Sequence, residues 1–104
     1  MAIKYATDET YEKMVSEGVV LVDFFGVNCG PCKLLSKELN ELEDTFPFIN
    51  IVKVDVDKCP GTARKFEIKG IPHLYYYKDG KIVSNELGAV NGEEIGKRLA
   101  EMLY

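Results

Sequence analysis

The chain has no tryptophan, a single histidine and only three cysteines. Three cysteines are too few, and odd in number, for a disulfide scaffold. In a reducing compartment a close thiol pair reads instead as catalytic or metal-binding. Basic residues are also scarce: 13 Lys and Arg stand against 17 Asp and Glu, for a net charge of −4. That balance argues against a nucleic-acid partner, which needs a basic surface. No apolar run approaches the roughly 18 residues of a membrane span; the longest, Val19 to Val27, is interrupted by Asp23. Met1-Ala2-Ile3-Lys4-Tyr5 lacks the apolar core of a signal peptide, so the expected location is the cytosol. Repeats, low-complexity stretches and linkers are missing too, and 104 residues leave room for one domain, 1–104, and not for two cores.

What is present is an alternation of strand-like and helix-like periods. Ile3 to Ala6 reads as a short strand. Thr7 and Asp8 are N-cap candidates for a helix with Tyr11, Met14 and Val15 on one face, closed by Gly18. Val19 to Phe25 is apolar on both faces, as a central parallel strand requires. Leu35, Leu39, Leu42 and Phe46 recur at helical spacing, and Ile49 to Val56 is a second buried strand. A short helix spans Thr62 to Phe66. Leu74 to Tyr77 and Lys81 to Leu87 flank Lys78-Asp79-Gly80 as a hairpin, and Ile95, Leu99, Met102 and Leu103 stripe a last helix. The order βαβαβαββα predicts an α/β fold with a mixed sheet covered by helices on both faces.

The sharpest feature is Cys29-Gly30-Pro31-Cys32, where a buried strand hands over to a helix. Backbone N–H groups and the macrodipole at a helix N-terminus favour an anion, so a thiol there ionises more readily. The thiolate is the attacking species in disulfide exchange. Pro31 suits the first turn, where its missing N–H would have had no partner. Cys32 is in register with Leu35, Leu39 and Leu42 and belongs on the inner face. Two helical residues three apart hold their Cβ atoms about 5–6 Å apart, whereas a disulfide wants about 3.5–4.5 Å. One cysteine must therefore lie at the helix edge, and Cys29 is the one that can. Cys29 attacks, and Cys32 resolves the mixed disulfide. The competing reading is half a zinc site completed by Cys59 and His73, although no second CxxC or CxxH follows.

With Val20-Leu-Val-Asp-Phe-Phe25, Cys29-Gly-Pro-Cys-Lys33, Asp57-Lys-Cys-Pro-Gly-Thr-Ala63, Gly70-Ile-Pro72 and Leu87-Gly-Ala89, the chain resembles the thioredoxin family nearly end to end. The resemblance implies a five-stranded mixed β-sheet flanked by four helices and reduction of protein disulfides. It also implies disulfide-containing client proteins and a thioredoxin reductase, either an NADPH flavoenzyme or a ferredoxin-linked enzyme. The expected protein is a monomer with no cofactor and no metal. A lowered thiol pKa in the CxxC pair and a reducing potential come with the same resemblance.

Site residues carry over by position. Asp23 falls where the family keeps a buried acid, and it shares a strand face with Val19, Leu21 and Phe25, so burial should raise its pKa. Such a carboxylate could take the proton of Cys32. Lys53 matches the family lysine beside that acid; pairing with Asp23 and a plain surface position are both open. Pro72 matches a cis-proline facing the disulfide, with an ordinary trans proline as the alternative. The resemblance makes Gly30, Pro31, Ile71, Pro72 and Gly88 substrate-binding, with the Ile71 backbone free for strand addition and Gly88 permitting close approach.

Four positions depart from the family pattern. Asn28 stands in place of the usual tryptophan, Phe25 holds a second tryptophan position, and Lys37 replaces a kinking proline. His73 replaces a small residue; within electrostatic reach of the dithiol it would modulate the Cys29 pKa. Cys59 is expected in a loop, either incidental or able to form a regulatory or intermolecular disulfide. Tyr75-Tyr76-Tyr77 reads as strand packing.

Overall fold

Five strands and four helices alternate in a computed structural model that describes residues 3–104. Met1 and Ala2, the start of the N-terminal stretch read for a leader, lie outside the described residues. The elements are β1 (Ile3–Tyr5), α1 (Tyr11–Met14), β2 (Val19–Phe25), α2 (Gly30–Thr45), β3 (Asn50–Asp55), α3 (Pro60–Lys65), β4 (His73–Lys78), β5 (Lys81–Leu87) and α4 (Gly92–Leu103). The sheet order is β1-β3-β2-β4-β5; β1, β3 and β2 run parallel, and β4 and β5 add antiparallel. Among the described residues no helix is long and apolar enough to cross a membrane.

Period-two alternation in β2 feeds two cores. Val19 and Leu21 pack with Leu35, Leu39 and Leu42 of α2 and Ile95, Leu99 and Met102 of α4. Val20, Val22 and Phe24 pack on the other face with Tyr11, Val15, Cys59 and Tyr77. A strand buried on both faces leaves its polar residues no route to water. The Tyr75-Tyr76-Tyr77 run is strand packing, as its alternation predicts. Tyr76 is buried on the α2 and α4 face and donates to Glu86 Oε1 at 2.6 Å. Tyr77 shares a 2.8 Å hydroxyl contact with Tyr11 on the other face.

Two local expectations are corrected. The N-cap of α1 is Thr10, not Thr7 or Asp8; Thr7 and Thr10 instead exchange N–H to Oγ1 bonds at 2.9 and 3.1 Å. The Asp8 carboxylate turns across to α3, accepting from the Gly61 N–H (3.1 Å), the Thr62 N–H (2.8 Å) and the Thr62 hydroxyl (2.6 Å). The reason is that α3 begins at Pro60, two residues earlier than its apolar pattern predicts, and its own N-cap, Cys59, supplies no side-chain bond. Unpaired N–H groups of a first turn then need an acceptor from elsewhere. These hydrogen bonds, with the Thr62 hydroxyl foremost, hold the Asp8 carboxyl below its usual range.

Candidate active site

The CxxC segment sits at the C-terminal end of β2, where the chain turns into α2. Cys29 is the N-cap, with extended backbone (φ −130°, ψ 107°), and Gly30 and Pro31 open the first turn. Being just outside the helix brings its Cα to 5.2 Å from that of Cys32, and the two form a disulfide. The Cys32 N–H donates to Cys29 Sγ at 3.2 Å, so the half-buried sulfur already occupies the acceptor position of a capping side chain. Cys32 is buried on the inner face with Leu35, Leu39 and Leu42. The helix runs unbroken through Lys37.

Asp23 and Lys53 are paired neighbours in the β2–β3 register. Asp23 is 0% exposed and Lys53 only 7%, so the surface reading of Lys53 does not hold. Lys53 Nζ and Asp23 Oδ2 lie 3.6 Å apart, longer than an ordinary hydrogen bond, and neither carboxylate oxygen of Asp23 has a hydrogen-bond partner among the described residues. Burial pushes the Asp23 pKa up to about 6, with the Lys53 charge opposing part of that rise. The Lys53 ammonium also donates to Ser36 Oγ of α2 and lies 4.7 Å from the centre of the Phe25 ring. Cys32, Ser36 and Lys53 line one open cleft of about 440 Å³, with Lys33, Lys37 and Asn40 along its α2 side.

On the other side of the strand end, the Ile71–Pro72 peptide is cis and the Pro72 ring is buried. Pairing of Phe24 with His73 sets Ile71 and Pro72 level with the loop that leaves β2. The Pro72 carbonyl accepts from the Gly88 N–H at 2.8 Å. Gly88 adopts φ +103°, a conformation that disfavours other residues, and a Cβ there would meet nothing within 4 Å. Backbone conformation therefore requires this glycine, and the space above it stays open.

Other candidates fall elsewhere. His73 shares the sheet face of Phe24, opposite Asp23; its ring stacks on Tyr75 at 4.7 Å, and Nε2 pairs with Asn85 Oδ1 at 2.9 Å. Cys59 lies in the loop between β3 and α3, as expected, but its thiol is buried. It is 1% exposed, packs in the α1 and α3 core and points Sγ at the Ala6 carbonyl, 3.3 Å away. An intermolecular disulfide needs an accessible sulfur, so that reading is withdrawn. Burial also pushes the Cys59 thiol pKa up. Cys59 and His73 are each engaged away from the dithiol, and among the described residues no three His, Cys, Asp or Glu side chains converge as a metal set.

Two residues at the site escape a reading of apolar periods. A Cβ on Gly26 would come within 2.7 Å of Ile71 Cδ1, the movable end of that side chain, so the β2 loop and the Ile71 side chain meet at this glycine. Its signal was a lone glycine at a strand end. Ser36 gave no signal, because a serine on a helix flank announces nothing about a lysine on another strand.

A buried strand delivering a helix-capping dithiol, backed by a buried acid and flanked by a cis-proline, defines a thiol–disulfide oxidoreductase. The thioredoxin family model matches residues 2–101. Thioredoxin of Staphylococcus saprophyticus is 39% identical over 104 residues, covering 99% of this chain and all of the relative. Thioredoxin of Bacillus subtilis is 44% identical over 89 residues, 85% of this chain and 86% of its own. That of Chlamydia trachomatis is 33% identical over 99 residues, 95% and 97% of the two chains. The chain belongs to the thioredoxin family and is a protein-disulfide oxidoreductase acting by dithiol–disulfide exchange.

Proposed function

We propose that Cys29 is the nucleophile, Cys32 the resolving thiol and Asp23 the acceptor of the Cys32 proton. The observation that carries this reading is the Cys32 N–H aimed at Cys29 Sγ at the start of α2. In the reduced protein the same donor and the helix macrodipole stabilise a thiolate at position 29. That thiolate attacks one sulfur of a client disulfide and expels the other as a thiolate. Cys32 then gives its proton to Asp23 and attacks Cys29 Sγ, releasing the second client thiolate and closing the Cys29–Cys32 disulfide. Two electrons pass from the dithiol to the client. The Lys53 ammonium lies beside Asp23, 3.6 Å from its Oδ2.

Client backbone pairs with Ile71, whose N–H and carbonyl make no hydrogen bond within the described residues. The open space over Gly88 and the turn at Gly30 and Pro31 admit that segment. Asn28, exposed beside Cys29, offers an amide where a tryptophan would present a ring, and so narrows the set of clients. Regeneration of the dithiol falls to a thioredoxin reductase, an NADPH flavoenzyme or a ferredoxin-linked one. The working form is a cytosolic monomer.

Pulse alkylation of the reduced protein at pH 7 tests the assignment. Cys29 is expected to label at least about tenfold faster than an ordinary thiol of pKa about 8.5, with Cys32 and Cys59 protected. Equal labelling of Cys29 and a model thiol would remove the nucleophile. In the same assay His73→Ala is expected to leave the pH midpoint of Cys29 labelling in place, because the imidazole lies on the opposite sheet face and is held by Asn85. A displaced midpoint would restore His73 as a modulator.

A further inference from the structure

Asp23 presents an anomaly that the proposed chemistry uses but does not explain. Both carboxylate oxygens are buried and have no hydrogen-bond partner among the described residues, although a lysine ammonium lies 3.6 Å away. Buried polar groups nearly always find a hydrogen bond, and an ammonium beside a carboxylate ordinarily closes to about 2.8 Å. The Lys53 ammonium has instead committed a donor to Ser36 Oγ, on the α2 flank above it. A helical serine can instead bond the carbonyl one turn earlier, here that of Cys32, and no such bond is present among the described residues.

We propose that Ser36 is a positioning residue that holds the Lys53 ammonium just outside hydrogen-bond reach of Asp23, so that the carboxylate stays an effective proton acceptor for Cys32. The inference rests on the reading of Asp23 given above. A direct ammonium–carboxylate bond would satisfy Asp23 and make it a weaker base; an ammonium held at a distance leaves its desolvation largely uncompensated. Other groups facing Asp23 do not supply this control. Leu74 faces it from β4 and is apolar, while Tyr76 on the same face is tied to Glu86. From α2, Cys32, Ser36 and the exposed Lys33 and Lys37 line the cleft that Lys53 shares. Ser36 is the group from this set that touches Lys53.

The test follows the Asp23 carboxyl by carbon NMR in the reduced full-length protein, for wild type, Ser36→Ala and Ser36→Thr. In Ser36→Ala the freed ammonium closes on Asp23, and the titration midpoint is expected to fall by about 0.5 or more. The limb of the insulin-reduction pH profile that reports Asp23 should move to lower pH with it. Ser36→Thr, which keeps the hydroxyl, is expected to restore both. An unchanged or raised midpoint in Ser36→Ala overturns the inference. Alanine favours a helix, so loss of the fold is not expected to obscure the result. Asp23→Asn separates the two claims: an unaltered pH profile in that variant refutes Asp23 as proton acceptor, while the NMR midpoint still judges Ser36 independently.

Discussion

Cys29→Ser is expected to reduce insulin-disulfide turnover to the uncatalysed background, a loss of at least about a thousandfold. Serine cannot form a thiolate, and neither the helix N-terminus nor the Cys32 N–H can compensate for the missing sulfur. Cys32→Ser should fail differently. Cys29 keeps its capping position and still attacks, but no inner thiol remains to resolve the product, so a covalent adduct with the client accumulates. Mass spectrometry of quenched reactions distinguishes these outcomes. If Cys29→Ser accumulates the adduct and Cys32→Ser does not, the two roles are reversed. If Cys29→Ser turns over normally, exchange does not run through this pair.

Asp23→Ala is expected to change how stability depends on pH. Folding raises the Asp23 pKa from 3.8 to about 6, which corresponds to about 3 kcal/mol between the two protonation states. The sign follows from where the proton sits. Below pH 4 both folded and unfolded chains hold it, and Asp23 costs nothing. Between 4 and 6 the unfolded chain releases it while the folded one retains it, so folded wild type loses stability as pH rises. Above about 7 the penalty is complete. Urea unfolding of the oxidised protein from pH 4 to pH 8 should therefore show Asp23→Ala gaining on wild type by up to about 3 kcal/mol, with the gain growing through pH 4–6 and then levelling. Lys53 lines the adjoining cleft, so in the variant its side chain has a route toward water. Parallel stability curves would show that Asp23 titrates normally and cannot serve as a base near neutrality.

Much of this was legible in the residues. Val19 to Phe25 announced a strand buried on both faces, and Asp23 within it announced a carboxylate with nowhere to ionise cheaply. Cys32 in step with Leu35, Leu39 and Leu42 announced which sulfur is sheltered. These features repeat at the local period of a strand or helix, and a local period is written along the chain. The Asp8 carboxylate capping α3 was not legible, because it joins segments more than 50 residues apart and looks like a cap for its own helix. The loop position of Cys59 beside Pro60-Gly61 was legible but its burial was not, because what covers it is α1 and the central strands.

By itself the sequence determined the order of elements, a carboxylate inside a strand buried on both faces and the unequal shelter of the two sulfurs, since each follows from apolar period and from position at a helix start. Only the tertiary structure decided where Asp23, Lys53 and His73 stand relative to one another. Their behaviour depends on register between β2, β3 and β4, which sets Lys53 beside Asp23 and turns His73 to the opposite face. A side chain's charge state answers to its nearest neighbours in space, and sheet pairing, unlike periodicity, brings those neighbours from distant parts of the chain.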